Sequence, residues 1–182
     1  MFLKGDPNRY GVIAAMLHWL SAAAILAMIP LGFIAAHAPD AAQATALLRI
    51  HLPLGLVILA LTVARIIWWL VDIRPAPPSG QTDWQHRLAG GSHVLLYVLI
   101  LLLCGSGIGV VILSGAGPEI FSGRTGKLPD FMTFPPMRVH AAGAFALIGL
   151  LILHFIAALY HQFWRRDRLF ARMRVGSSGG PS

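Results

Sequence analysis

Four long apolar segments dominate this sequence, over residues 11–36, 48–71, 88–113 and 138–163. Each is close to the twenty or so residues that an α-helix needs to cross the hydrocarbon core of a bilayer. Only 12% of the 182 residues are charged, about half of the share that is typical of a soluble domain. The pattern predicts an all-α fold, a four-helix transmembrane bundle. It excludes a soluble enzyme, a disordered chain and a nucleic-acid-binding module.

The distribution of cations predicts how this bundle is oriented. Four spans place both termini on one side of the membrane, and ten of the fourteen Lys and Arg residues fall on that side. The ten are Lys4, Arg9, Arg65, Arg74, Arg87, Arg165, Arg166, Arg168, Arg172 and Arg174, and the four on the other side are Arg49, Arg124, Lys127 and Arg138. Because cytoplasmic edges are enriched in cations, both termini are predicted to be cytoplasmic. The net charge of +7 then indicates contact with anionic lipid, and no nucleic-acid partner is expected.

The connections between the spans are too short to hold a further domain. A single membrane domain is predicted over residues 1–175, and the Gly/Ser-rich residues 176–182 are expected to form a disordered tail. The third connection, from about residue 114 to 137, is rich in Gly and Pro. It is predicted to be an ordered cap with little regular structure.

Five histidines lie within the predicted spans, besides His161 at the edge of the last one, and there an ionisable side chain is by default a functional hypothesis. They are His18, His51, His93, His140 and His154. His140 and His154 are 14 residues apart, which puts them on the same face of the fourth helix and about 21 Å apart along its axis. One therefore lies near the outer leaflet and the other in the inner half of the bilayer.

Matching depths across the bundle predicts two histidine pairs. His18 enters with the first helix at the depth of His154, and His51 lies near the outer end of the second helix at the depth of His140. Two stacked pairs are what bis-imidazole ligation of two b-type haems requires, and such iron suits electron transfer. A zinc or copper site would need help from Cys, Asp or Glu, which these spans do not supply at suitable spacing. Covalent haem attachment is excluded because no Cys-x-x-Cys-His motif occurs.

The chain resembles the bacterial cytochrome b561 family in RYGVIAAMLHW, IHLPLG, ARIIWW, LAGGSHVLLY and RVHAAGAFALIGLLILHFIAALYHQFWRRDRLFARM. The resemblance covers nearly the whole chain, and the histidine spacing of the fourth helix is its most specific part. It implies a four-helix bundle of the bacterial inner membrane that binds two haem b groups. Carried over by position, His18 and His154 would ligate the iron of the cytoplasmic-side haem, and His51 and His140 that of the periplasmic-side haem.

Two further histidines are candidates for a role beside the haems. His93 matches a histidine of the family's third helix, at a depth similar to that of His18 and His154. Four roles are open for it: an axial ligand in place of one of these two, a hydrogen bond to a haem propionate, quinone protonation, or plain packing. His161, seven residues after His154, is a candidate for quinone or propionate contact, or a solvated residue.

Haem propionates are anionic and need cationic partners near the membrane surface. The candidates are Arg9, Arg65 and Arg87 on the cytoplasmic side and Arg49 and Arg138 on the periplasmic side. Arg65 matches the arginine at the end of the family's second helix. The alternative for each of these arginines is an interaction with lipid phosphate.

Two haems spaced across the bilayer indicate an oxidoreductase that moves electrons between a periplasmic donor and membrane ubiquinone. Some family members resemble a superoxide oxidase, and superoxide is an anion that a cationic mouth would attract. Arg49, Lys127 and Arg138, together with Arg124, are the candidates for this capture. The alternative is a haem-bearing anchor subunit that relays electrons for a dehydrogenase partner, with the third connection as its docking surface.

Overall fold

The computed structural model describes residues 3–73, 75–76, 82–122, 128–167 and 169–173. Within these ranges the fold is helical and has no strand, and four helices are long and apolar enough to cross a membrane. The long helices are α1 (Val12–Ala36), α2 (Ala41–Val71), α3 (Asp83–Ser114) and α5 (Pro135–Leu159), and the short ones are α4 (Gly117–Phe121) and α6 (Leu169–Arg172). A 3₁₀ turn (Phe131–Thr133) precedes α5, and a π-helical turn (Tyr160–Trp164) follows it. The prediction of an all-α, four-helix transmembrane bundle is confirmed.

Three of the long helices begin before their apolar segments do, two of them at polar caps and the third at a proline. Helix α2 begins seven residues early, where the side chain of Asp40 accepts a hydrogen bond from the N–H of Gln43. Helix α3 begins five residues early in a reciprocal capping box between Thr82 and Gln85. Helix α5 begins at Pro135, whose missing N–H costs nothing in the first helical turn. Hydropathy marks the membrane-spanning part of a helix, whereas capping chemistry marks its end.

One apolar layer joins the four long helices at mid-height. It consists of Ile25, Ile58, Ile100 and Leu147, one from each long helix, and each is only 4–7% exposed. Helix α1 packs chiefly along α2 and α3 along α5, and contacts between α2 and α3 join the two helical hairpins. Each residue of this apolar layer lies seven positions, or about two helical turns, from a histidine of the same helix. The histidines therefore flank the layer at two levels.

The two ends of the described chain meet at one end of the bundle, here called the terminal end. The N–H of Tyr10 donates to the carbonyl of Arg172 at 3.1 Å. The guanidinium of Arg172 donates in turn to the carbonyls of Asn8 at 2.9 Å and Ala76 at 2.6 Å. The N-terminal segment, the α2–α3 connection and α6 therefore close the same end, as four spans require.

At the opposite end, here called the loop end, the third connection packs on α2. Nε of Arg49 donates to the carbonyl of Ile120, whose side chain is fully buried, and Gly115 ends α3 in the left-handed region with φ of 64°. The predicted cap thus contains the short helix α4 and a 3₁₀ turn. Arg124 and Lys127 of this cap, and the predicted tail over residues 176–182, lie outside the described residues.

Candidate functional site

Two histidines from different hairpins face each other near the loop end. The ring centres of His51 on α2 and His140 on α5 are 6.1 Å apart, with their planes at 61°. Two imidazoles on opposite sides of one metal ion have centres about 6 Å apart, because each bond is about 2 Å and each ring centre lies about 1 Å beyond its nitrogen. The spacing of this loop-side pair fits one iron ion between the rings.

His140 is oriented for ligation by the backbone of α3. Its Nδ1 lies 3.0 Å from the carbonyl oxygen of Leu103 and 3.2 Å from Oγ of Ser106. A carbonyl only accepts, so Nδ1 carries the proton and the lone pair is on Nε2. This is the usual way in which a protein fixes the tautomer and direction of a metal-ligating histidine.

Both rings of the loop-side pair rest against glycines of neighbouring helices. A Cβ atom on Gly107 would lie 3.2 Å from Cε1 of His140, and one on Gly32 would lie 3.2 Å from Cε1 of His51. Any larger residue would push against the ring. Nδ1 of His51 is buried and has no hydrogen-bond partner in the part of the chain that the structure describes, which marks a site that these residues alone do not satisfy.

Three histidines from three helices meet near the terminal end. The rings of His93 on α3 and His154 on α5 have centres 5.4 Å apart with planes at 74°. His18 on α1 is close enough to interact electrostatically with both. The structure thus places His18, His93 and His154 at one level, the depth that the sequence predicts for all three. Which two of the three ligate iron stays a prediction.

Arg65 adds a positive charge to this terminal-side cluster of His18, His93 and His154. Its Nη2 lies 3.2 Å from Nδ1 of His18, and its guanidinium carbon lies 5.2 Å from the ring centre of Tyr97 on α3. No carboxylate lies within salt-bridge distance of it among the described residues. A guanidinium within a membrane span favours an anionic partner, and a haem propionate is of that type.

The other predicted site residues lie nearer the two ends of the bundle. Arg9 pairs with Asp6 at 3.1 Å, and the backbone N–H of Asn8, together with Arg9, lowers the pKa of the Asp6 carboxyl. Arg49 donates a hydrogen bond to the carbonyl of Ile120 in α4. Arg138 is exposed in the first turn of α5, and Lys127 lies outside the described residues. His161 is hydrogen-bonded to Asp167.

Although three histidines share the terminal-side level, no group of three or more His, Cys, Asp or Glu side chains in the described ranges is placed to hold a bare metal ion. A pair of imidazoles at each level would instead suit an iron whose other four ligands come from a porphyrin. Both levels lie within long apolar helices, whose side chains would surround such a group. The donor set therefore fits haem.

The chain matches a family model described as prokaryotic cytochrome b561 over residues 9–176. It belongs to the prokaryotic cytochrome b561 family. The chain is also 27% identical over 188 residues to cytochrome b561 homolog 2 of Escherichia coli K12, across 98% of this chain and 97% of that protein. It is 30% identical over 124 residues to cytochrome b562 of Cereibacter sphaeroides, across 68% of this chain and 65% of that protein.

Family and fold together establish the general activity. This cytochrome b561 is a multi-pass protein of the bacterial inner membrane that carries haem b and transfers electrons. The histidines at its two levels are the residues suited to holding the cofactor.

Several contacts of the site could not be inferred from the sequence. The sequence marks the histidines by their type and spacing, but it does not show that Leu103 offers a backbone carbonyl to His140. The partnership of Asp167 with His161 was also missed, although the two are only six residues apart. A carboxylate just beyond the last span, near a histidine at its edge, is the signal that identifies this pair.

Proposed function

We propose that this cytochrome b561 holds two haem b groups and moves electrons across the bilayer. His51 and His140 hold one haem, and His154 with His18 holds the other. The observation that carries the proposal is the presence of two histidine levels on either side of the apolar layer. When bound by two imidazoles, each haem supplies a one-electron carrier with no open coordination position. Arg65 and Arg9 are the proposed partners of the propionates nearer the terminal end.

The terminal end is the cytoplasmic end in this proposal. The ten-to-four distribution of cations supports that orientation, because Lys and Arg concentrate on cytoplasmic edges. The loop-side pair then lies nearest the periplasm and receives electrons. The terminal-side cluster passes them on.

The proposed donor is superoxide and the proposed acceptor is ubiquinone, which makes the protein a superoxide:ubiquinone oxidoreductase. Arg138 supports the donor, because it is exposed at the loop end two residues before His140. Arg49 adds positive charge to the same end, and Lys127 is a further candidate by its position in the sequence. His93 and His161 are the candidates for quinone chemistry, because both lie towards the cytoplasmic end.

Stopped-flow reduction of the oxidised protein by superoxide tests this function. Exposed cations accelerate capture of an anion, and salt screens them over roughly 8–10 Å. Arg138→Glu should therefore slow haem reduction several-fold at low salt, and the rate of the unmodified protein should fall as ionic strength rises. The haem spectrum and the reoxidation by ubiquinone should not change.

Lys4→Glu is the matched control, because Lys4 is an exposed cation at the opposite end of the bundle. This variant should be reduced at the unmodified rate. A reduction rate that is indifferent to salt and to Arg138→Glu would count against superoxide as the donor.

The second candidate function is a haem-bearing anchor subunit for a dehydrogenase. The loop end favours it, because the cap held by Arg49 exposes the large apolar side chains of Phe121 and Met132. In that case the purified chain would not be reduced by superoxide and would need a partner to supply electrons.

A further inference from the structure

Helix α5 ends in an unusual turn that folds the chain back on itself. Tyr160–Trp164 form a π-helical turn, and Arg166 then adopts the left-handed region with φ of 59°. This reversal brings the N–H of Asp167 to the carbonyl of His161 at 2.9 Å. It also places Oδ2 of Asp167 2.6 Å from Nδ1 of His161. Such π-helical turns and strained non-glycine residues occur often at functional sites.

The His161–Asp167 pair is largely withdrawn from solvent. The side chain of His161 is 20% exposed and that of Asp167 is 9% exposed. Burying a carboxylate costs free energy unless it is paired. The shorter contact of Asp167 is to His161, and Nε of Arg165 lies 3.5 Å from the same oxygen.

Few other ionisable groups surround this pair among the described residues. The ring of Tyr160 is 5.7 Å from that of His161. Helix α6 packs against the turn, and its charged residue Arg172 donates to the carbonyls of Asn8 and Ala76 instead. Asp167 is therefore the group that sets the orientation of His161.

His161 also lies where a proton would be needed. It is seven residues after His154, so it is about 10 Å from the terminal-side cluster along the helix axis. This places it between the cluster and the water at the terminal end. An acceptor that takes electrons from the cluster and protons from the water would meet both groups here.

We propose that Asp167 is a positioning residue that makes His161 the proton donor for the quinone reduced at the terminal end. This inference rests on the proposed function. A quinone takes up two electrons and two protons, and the electrons come from the donor at the other end. For each proton, the Nε2–H bond of the imidazolium breaks and an O–H bond forms on the quinone. Asp167 accepts a hydrogen bond from Nδ1–H throughout, and water then returns a proton to Nε2.

The test uses the full-length, haem-loaded protein, reduced beforehand and mixed in a stopped-flow instrument with a short-chain ubiquinone. In parallel it is mixed with ferricyanide, which accepts one electron and no proton. Asp167→Asn should slow reoxidation by the quinone roughly ten-fold or more, as loss of a positioned proton donor does. Reoxidation by ferricyanide and the haem spectrum should stay unchanged. Asp167→Glu, which keeps a carboxylate, should recover part of the rate.

Asp72→Asn is the matched control for loss of a carboxylate at the same end. Asp72 accepts hydrogen bonds from the N–H of Gly5 and the indole of Trp68, and no described contact joins it to a histidine. This variant should keep the unmodified quinone rate.

The outcomes separate the inference from the function on which it rests. If the unmodified protein is oxidised by ferricyanide and not by the quinone, the proposed acceptor is wrong. If the quinone oxidises the unmodified protein and Asp167→Asn equally fast, the role of Asp167 is wrong and quinone remains the acceptor. If Asp167→Asn slows both oxidants equally, the residue acts on electron transfer and the inference also fails.

Discussion

His140 is held by helix α3, which supplies two hydrogen-bond partners to Nδ1 and packs a glycine backbone against the same edge of the ring. Its Nδ1 bonds to Leu103 and Ser106, while Gly107 leaves just enough room for its Cε1 atom. His51 has the corresponding glycine contact, with Gly32, and lacks the hydrogen bond within the described chain. His140 is therefore the better positioned of the two, and its lone pair is fixed on Nε2 before any cofactor binds.

The haem content of single histidine variants tests the assignment of ligands. His51→Ala or His140→Ala should remove the loop-side haem, and His18→Ala or His154→Ala the other, because a lost axial bond leaves the iron with one protein ligand. Each variant should keep about half of the haem per chain, measured by the pyridine haemochrome assay. His93→Ala should keep both haems. Retention of two bis-histidine haems by His18→Ala would instead identify His93 as the ligand.

The residue types of the site could be predicted from the sequence, whereas their supports could not. A 14-residue spacing places His140 and His154 on one helix face whatever surrounds them. The ring contact between His93 and His154 depends on how α3 rotates against α5, and no local pattern in α3 determines that rotation. For this reason the sequence left the role of His93 open.

Helix α3 shows how one element serves both levels. It carries His93 and Tyr97 towards the terminal end and Leu103, Ser106 and Gly107 towards the loop end. The apolar pattern predicts that this segment is a helix, but it does not show which of its glycines contacts a histidine. The structure distinguishes them, because a Cβ on Gly107 meets a histidine and a Cβ on Gly105 meets nothing within 4 Å.

A matched pair of glycine variants tests the contribution of α3. Gly107→Val should displace the His140 ring, because the added Cβ lies 3.2 Å from Cε1 before any relaxation. We expect weaker binding of the loop-side haem and a changed low-spin signal in electron paramagnetic resonance, with the second haem intact. Gly105→Val, two positions away in the same helix, should leave both signals unchanged. Equal effects from the two variants would show that helix packing matters here rather than contact with the ring.

Across the whole molecule, the apolar layer separates two histidine sites of different character. The loop-side pair has two histidines and an exposed cation nearby, whereas the terminal-side cluster has three histidines, Arg65 and the His161–Asp167 pair beyond it. The number of spans predicted that both ends of the chain share one side, and the contacts of Arg172 agree. The sequence could not show that Arg172 itself binds two other segments, because Asn8 and Ala76 are remote from it along the chain.

The assignment of sides to these two sites rests on the orientation of the chain, which reporter fusions test. The sequence assigns ten of the fourteen cations to the side of the two termini, and moving them across the membrane during insertion is unfavourable, so this end should stay in the cytoplasm. Green fluorescent protein fused after the last residue should therefore fluoresce, because it matures in the cytoplasm. Alkaline phosphatase at the same position should be inactive, because it requires the periplasm. Active phosphatase there would put the terminal-side cluster next to the periplasm, and the proposed sites of electron entry and proton uptake would then exchange places.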